Sequence, residues 1–296
     1  MSKQLKADLM LVLVTLGWGT SFYLIDLSLK DMGPFTLNAF RFLVAFFIVA
    51  LFSWKKLRDL NMTTIKYALK AGVLLAGAYI FSTFGIMYTS LSNAAFLASM
   101  TVLFAPALVF LIKGQRPSPQ FKFVLVICVV GMGLLTLNDG LKPAIGDVFS
   151  IMCALSFSMN LLIVETAVSK PEVDAFTLGV CLLGVVGLIM ITMGFIFETP
   201  HLPTTPLYWG TTLFLSIFCT GMAVIAQALA QQYTTASHVG LIYTLEPIFA
   251  AVVAYFLAGE VLKPRGYIGA FMMILSVLIM EIDFGRKVDR SNEQAD

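Results

Sequence analysis

The chain has 296 residues, of which 59% are hydrophobic and 12% charged, with a formal net charge of +2 and a mean hydropathy of +0.90. A soluble domain carries about 25% charged residues, so half that share over this length argues for an integral membrane protein. The small net charge gives no reason to expect a nucleic-acid partner. Four cysteines (Cys128, Cys153, Cys181 and Cys219) sit singly in apolar runs without CxxC or metal spacing and read as small buried hydrophobes.

A bilayer core about 30 Å thick needs about 20 apolar helical residues. Charged residues and Gly/Pro turns divide the chain into ten such segments, so the predicted fold is an all-α integral membrane protein with ten transmembrane helices. In chain order the expected spans are Asp8–Leu27, Phe35–Trp54, Tyr67–Thr89, Asn93–Ile112, Phe121–Leu137, Ile145–Val164, Ala175–Phe197, Leu207–Gln231, Ser237–Leu257 and Arg265–Ile282. Two boundaries rest on polar clusters rather than charge, "YTSLSN" and "QQYTTASH". The first apolar run lacks a small-residue cleavage site, so no cleavable signal peptide is expected. Basic residues in short loops set orientation. With the N-terminus inside, Lys3, Lys6, Lys55, Lys56, Arg58, Lys66, Lys70, Lys113, Arg116, Lys122, Lys170, Arg286, Lys287 and Arg290 fall on the cytoplasmic face. Only Lys30, Lys142, Lys263 and Arg265 fall on the other, which places both termini in the cytoplasm.

The chain repeats itself. Residues 88–119, "YTSLSNAAFLASMTVLFAPALVFLIKGQRPSP", lie without gaps over 233–264, "YTTASHVGLIYTLEPIFAAVVAYFLAGEVLKP", at an offset of 145. Tyr88/Tyr233, Thr89/Thr234, Ser92/Ser237, Phe104/Phe249, Ala105/Ala250, Gly114/Gly259 and Pro119/Pro264 coincide. At an offset of 139, Asp8 meets Asp147, Trp18 meets Phe157, Ser21 meets Asn160 and Asp26 meets Glu165. The expected units are 1–140 and 141–285, followed by a polar cytoplasmic tail, 286–296. Five spans per unit is an odd number, so the copies enter the membrane from opposite sides. Such inverted repeats are a signature of secondary transporters, which bind substrate near the midplane where the halves meet.

The stretches "GWGTSFYL", "GPFTLNAFRFLVA", "GDVFSIMCALSFSMNLL", "QYTTASHVGLIYTLEPIFAAVVAYFLAGEVL" and "GYIGAFMMILSVLIM" resemble the EamA family of the drug/metabolite transporter superfamily, over essentially the whole chain up to about Gly285. The resemblance implies ten helices in inverted five-helix repeats, a bacterial inner-membrane location and, usually, export of a small metabolite such as an amino acid. Family members often carry a glutamate at the end of the fourth span; here Gln115 stands there, while the second copy keeps Glu260.

Ionisable residues inside a membrane are costly and tend to face a cavity or a partner. Glu246, next to Pro247 in the ninth span, shares a helical face with Val239, Tyr243 and Ala250. A carboxylate beside a phenol would suit a cation, an amine or a transported proton. Alternatively it pairs with Arg41, or meets backbone freed by Pro247. Arg41 is expected to neutralise Glu246, attract a carboxylate or snorkel to the outer headgroups, with a structural or gating role favoured. The repeat mate of Glu246 is Thr101 and that of Tyr243 is Ala98, so one half carries the charge and the other does not. In the third and eighth spans, Tyr79, Ser82, Thr83 and Ile86 form one stripe and Val224, Gln227 and Gln231 another, either as cavity wall or as interhelical hydrogen bonds. Trp18 with Ser21, and Phe157 with Asn160, offer a ring and a polar group near the centre of each half. Asp26 and Lys30 are expected to pair on the surface, Glu165 to be solvated, and His238 to bond at the interface. Glycines 131/133, 184/187 and 266/269 are expected to permit close helix approach.

No catalytic cluster, metal motif or nucleotide-binding loop is present in the sequence, so neither an enzyme nor a cofactor is expected. The expected partners are a small-molecule substrate and the lipid bilayer, with protons as a candidate coupling ion, in a monomer or homodimer. The expected function is alternating-access transport of an amino acid or related compound, most naturally as an exporter. The alternatives are an importer or exchanger of amines or other metabolites, and a channel-like facilitator.

Overall fold

The computed structural model describes residues 2–89, 91–136, 144–258 and 263–293; the side chains of 91–93, 136, 254, 257–258 and 281–293 lie outside that description. Lys142, Glu260, the end of the fifth span at Leu137, and the side chains of Ser92, Arg286, Lys287 and Arg290 therefore fall outside it. Among the described residues the chain is helical, with no strand. The helices are α1 (Lys3–Ser28), α2 (Pro34–Leu57), α3 (Met62–Tyr88), α4 (Leu91–Ala98), α5 (Thr101–Lys113), α6 (Pro119–Thr136), α7 (Ile145–Val168), α8 (Ala175–Phe197), α9 (Pro206–Ser216), α10 (Ala223–Ala230), α11 (Ala236–Ile242), α12 (Glu246–Ala258) and α13 (Pro264–Glu293). A π-helical segment, Ile217–Met222, joins α9 to α10, and a 3-10 turn, Tyr243–Leu245, joins α11 to α12.

By length and composition, eight helical stretches among the described residues could cross a membrane, and two shorter apolar ones, Pro119–Leu135 and Pro264–Met280, accompany them. All ten fall on expected spans. Their outer surface is greasy: Leu51 is 71% exposed, Phe52 84% and Leu111 74%. In water such a surface would aggregate, whereas against lipid tails it is neutral. α13 runs on past the expected end of the tenth span.

The helix ends follow local chemistry. Prolines 34, 119, 206 and 264 open their helices, where a missing N–H costs nothing. Asn61, Asp174, Thr205 and Thr235 cap α3, α8, α9 and α11 by accepting backbone N–H groups three residues on. Gly33 gives α2 no side-chain cap, and Glu198, at the end of α8, supplies it instead. Its carboxylate accepts the N–H groups of Phe35 (2.9 Å) and Thr36 (2.8 Å) and the Thr36 hydroxyl (2.5 Å). Anionic capping of a helix start is favourable on both hydrogen-bonding and dipole grounds. The expected Asp26–Lys30 pair does not form. On that face Asp31 takes the chain instead, accepting the N–H of Thr204 at 3.0 Å and its hydroxyl.

The interior is held by small residues at close crossings. α3 packs along α7 and α8, α2 along α8, and α1 against α10 and α12. α6 and α13 form a separate pair in which Gly131 and Gly269 meet backbone to backbone, as the glycine pattern predicts. Gly72 accepts Val185, Gly187 accepts Leu43, and Gly19 in α1 lies on the start of α12. A Cβ on Gly19 would sit 2.7 Å from Phe249 Cβ, 2.8 Å from Ala250 N and 2.9 Å from the Glu246 carbonyl. Two of those neighbours are backbone and cannot rotate away. Gly19→Ala should therefore cost about 1–3 kcal/mol of stability, seen as a lowered melting temperature in detergent. Gly210→Ala, where an added Cβ meets nothing within 4 Å, should leave that temperature unchanged or raise it.

Candidate functional site

The fourth and ninth spans are not the continuous helices the sequence suggests. One stops at Ala98 and restarts at Thr101; the other stops at Ile242, makes a 3-10 turn, and restarts at Glu246. The restarts, Thr101 and Glu246, are 145 residues apart, which is the offset of the sequence repeat. Pro247 sits in the first turn of α12, where proline is tolerated. The carbonyl it would have orphaned is not free, because the Glu246 N–H takes the Tyr243 carbonyl in the 3-10 turn. The proline starts a new helix there, and Glu246 becomes the first residue of a half-helix. The single helical face drawn through Val239, Tyr243, Glu246 and Ala250 is therefore broken: Tyr243 and Glu246 face one cavity, Val239 is buried and Ala250 packs on Gly19.

That cavity, open on one side, lies between α1, α2, α3, α7 and the two helix breaks, with about 700 Å³ of empty space when the solvent at its mouth is counted. Of the residues singled out in the sequence, Trp18, Ser21, Arg41, Tyr79, Ser82, Tyr243 and Glu246 all line it. Lining residues on α1 run from Trp18 to Ile25 and on α3 from Ala78 to Ile86, the C-terminal halves of both helices. The cavity therefore extends toward the face where α1 and α3 end.

The aromatic wall forms at the meeting of the halves. The repeat mates Trp18 and Phe157 touch edge to face at 5.4 Å between centroids, and Tyr243 closes the group at 4.9 Å from Trp18 and 6.0 Å from Phe157. Hydropathy and repeat matching carry no sign of what holds Trp18. Its Nε1–H donates to the Cys219 carbonyl at 2.9 Å, within the π-helical segment. A π-turn shifts backbone carbonyls out of the regular ladder and is common at functional sites. The same segment presents Thr220, whose hydroxyl accepts from Arg41 Nε at 3.1 Å. Gly221 in the same segment packs closely on α2, an added Cβ lying 3.1 Å from that of Ala45.

Arg41 is buried, with its guanidinium 5.3 Å from the centre of the Tyr79 ring. Its two terminal nitrogens have no hydrogen-bond partner. No ion pair joins it to Glu246 among the described residues, so the mutual neutralisation considered from sequence does not occur. The wall of one cavity thus holds an acidic side chain and a guanidinium with no ion pair between them.

Two predicted residues lie elsewhere. Gln227 is not on the cavity: its Oε1 accepts the Tyr243 hydroxyl at 3.3 Å and its Nε2 donates to Gln231 Oε1 at 3.3 Å. Gln231 in turn donates to the Leu161 carbonyl at 2.9 Å. Asn160 donates to the Ala71 carbonyl at 2.9 Å, and its own oxygen is buried without a partner. Here the polar stripe turns inward between helices, as intramembrane amides often do. Below this layer the face carrying the start of α1 is tied shut. Asp8 lies 3.2 Å from His238 Nε2 and also accepts from Gln4 at 3.0 Å. Glu165, expected to be solvated, pairs with Lys113 at 2.6 Å and accepts the N–H of Ala236 at 2.5 Å, at the start of α11. Among the described residues no group of three or more His, Cys, Asp or Glu is placed to hold a metal ion.

The Trp18 bond offers a direct test of this arrangement. Trp18→Phe keeps a ring but leaves the Cys219 carbonyl unmet in an apolar interior, which should cost about 1–3 kcal/mol. Thermal unfolding in detergent measures it; Trp18→Phe melting with the unaltered protein would show that the π-segment is held by other contacts.

Comparison with known proteins agrees with this architecture. A solved crystal structure superposes with a TM-score of 0.76 over 96% of this chain and 98% of that one; at 17% identity the likeness speaks for the fold alone. An uncharacterized transporter of Archaeoglobus fulgidus is 30% identical over 291 residues, covering 95% of this chain and 87% of the relative. The uncharacterized transporter YwfM of Bacillus subtilis is 21% identical, over 92% of this chain and 93% of its own length. The sequence model of the EamA-like transporter family matches twice, at residues 5–137 and 144–282. A multi-pass apolar helical chain that carries this match in both halves belongs to the EamA-like transporter family.

Proposed function

We propose that this transporter moves a small zwitterion, an amino acid or a close relative, by alternating access between two inverted five-helix repeats. The observation that carries the reading is the cavity with Glu246 and Arg41 on its wall and no pairing between them. Leaving two opposite charges unpaired in a membrane interior is expensive. A ligand with an ammonium at one end and a carboxylate at the other satisfies both, and the rings of Trp18, Phe157, Tyr243 and Tyr79 add apolar and cation–π contact for the remainder. The ammonium belongs at Glu246 and the carboxylate at Arg41, whose two terminal nitrogens match carboxylate geometry.

The ten-span count and the division near residue 140 are supported by the double family match and by helix breaks 145 residues apart. Basic loops favour both termini on the cytoplasmic side; on that orientation the cavity faces outward and the face sealed by Asp8, His238, Glu165 and Lys113 is cytoplasmic, in keeping with an inner-membrane exporter. The chain carries no nucleotide-binding loop, so the driving force is a gradient or exchange. Export follows from the family resemblance rather than from these residues. A second reading, an organic amine recognised by Glu246 and the aromatic group alone, differs in having no use for Arg41.

The test is flux of a labelled amino-acid panel in proteoliposomes, with and without an imposed pH gradient. Glu246→Gln should lower flux about thirtyfold or more, as loss of one buried charge contact does, while the variant remains monodisperse. Arg41→Met should do the same for amino acids and leave amine flux intact only under the second reading. Full activity of Glu246→Gln with unchanged response to the gradient would sink both.

A further inference from the structure

The cavity and the buried amide layer are related by the repeat. Under the 139 and 145 offsets, the lining pairs Trp18/Phe157, Ala98/Tyr243 and Thr101/Glu246 map onto each other, and both members of each pair already line the cavity. These positions belong to the centre whichever way the halves are arranged. The remaining wall does not map onto itself. Ser21, Phe22 and Ile25 correspond to Asn160, Leu161 and Val164. Tyr79, Ser82 and Ile86 correspond to Val224, Gln227 and Gln231. All six of these mates are buried and none lines the cavity.

One contact shows the difference most directly. Gln231 donates to the Leu161 carbonyl, closing α10 onto α7. The mates of those two residues, Ile86 and Phe22, both line the open cavity. Likewise Gln227 holds the Tyr243 hydroxyl, whereas the mates Ser82 and Ala98 both line the cavity. The same juncture is thus shut in one half and open in the other. The buried oxygen of Asn160 has no partner, a cost that a permanently packed seam has no reason to keep.

We propose that the seam carrying Asn160, Gln227 and Gln231 is the second, closed half of the substrate path, opening as an amide-lined vestibule toward the face where α1 begins. This rests on the inverted-repeat reading above and adds to it the residues that form the path on that side. When the halves exchange conformations, Gln231 leaves Leu161 and Gln227 leaves Tyr243, while Phe22 and Ile86 close together. The two vestibules then differ in chemistry. One is hydroxyl and aliphatic, with Ser21, Ser82 and Ile86. The other offers uncharged amide donors and acceptors, suited to a polar solute shedding its contact with the central charges.

Single cysteines test this without any transported compound. In a background with Cys128, Cys153, Cys181 and Cys219 replaced by alanine, Gln231→Cys and Val224→Cys should react with a membrane-impermeant maleimide from the side of the N-terminus. Ile86→Cys should react from the opposite side. Val224→Cys is nearly volume-neutral, so it folds where Gln231→Cys fails. In a chain carrying Phe22→Cys and Ile86→Cys, bridging that pair with a bifunctional thiol reagent should raise the Val224→Cys labelling rate about tenfold, because the shut state is then enforced on the other side. Val224→Cys that stays unreactive from the N-terminal side in a monodisperse sample, bridged or not, overturns the proposal. So does labelling from the same side as Ile86→Cys. Reciprocal labelling with no amino-acid flux would overturn the substrate reading alone; flux without reciprocal labelling would overturn this inference alone.

Discussion

An acid and a guanidinium set among apolar spans with no salt bridge between them are the constraint around which this protein is organised. Lipid offers nothing to either group. Glu246 and Arg41 must therefore meet protein, ligand or a wet cavity. The chain declines the simplest solution, a salt bridge between them. Arg41 is instead anchored through one nitrogen to Thr220 and laid near the Tyr79 ring, with its two other nitrogens left unsatisfied. Holding the two groups apart requires rigid supports on both sides. The π-segment Ile217–Met222 provides one, and the break before α12 provides the other.

Both supports are departures from a regular helix, and both are needed because a straight helix has no backbone to spare. The π-segment releases the Cys219 carbonyl to Trp18 and sets Thr220 against Arg41, so one irregularity positions an aromatic wall and a charge together. The 3-10 turn at Tyr243–Leu245 ends one short helix and starts another at Glu246, with Pro247 in its first turn. That start puts an acidic residue in the first turn of a helix, where the helix dipole favours negative charge. Gly19 permits the crossing that holds this start in place, since any side chain there would meet the backbone of α12.

Much of this was legible in the sequence because membranes impose simple rules. Twenty apolar residues make a span, and Gly/Pro turns and charge separate the spans, so all ten expected segments coincide with apolar helices, eight long and two shorter. Nine of the singled-out polar and aromatic residues, Thr83 and Phe157 among them, meet on one cavity, since a costly residue in a greasy segment has few reasons to be there. What sequence could not show was three-dimensional register. Whether Gln227 faces the cavity or the neighbouring helix depends on a rotation of α10 set by the π-segment, and hydropathy carries no trace of an extra residue per turn. Asn160 shares a helix with Phe157, which lines the cavity, yet it donates to Ala71 on α3 because α3 and α7 run in contact there. Glu165 sits in a stretch that reads as a solvated end, but the start of α11 needs an acceptor for the Ala236 N–H and Lys113 is within reach.

The two halves are similar enough to share a fold and different enough to do chemistry. If the repeat were perfect, Thr101 would be a glutamate and Ala98 a tyrosine. Two carboxylates on one small cavity would repel each other, and two tyrosines at the centre would fill it. The second copy therefore carries the acid and the ring, while the first keeps small residues that leave room for a ligand. Arg41, from the first copy, then gives the cavity its opposite charge. A cavity built this way takes its acid from one half and its guanidinium from the other. If the halves move as proposed, the spacing of those two groups changes with them, and a ligand bridging both would bias that motion through its unequal fit to the two arrangements.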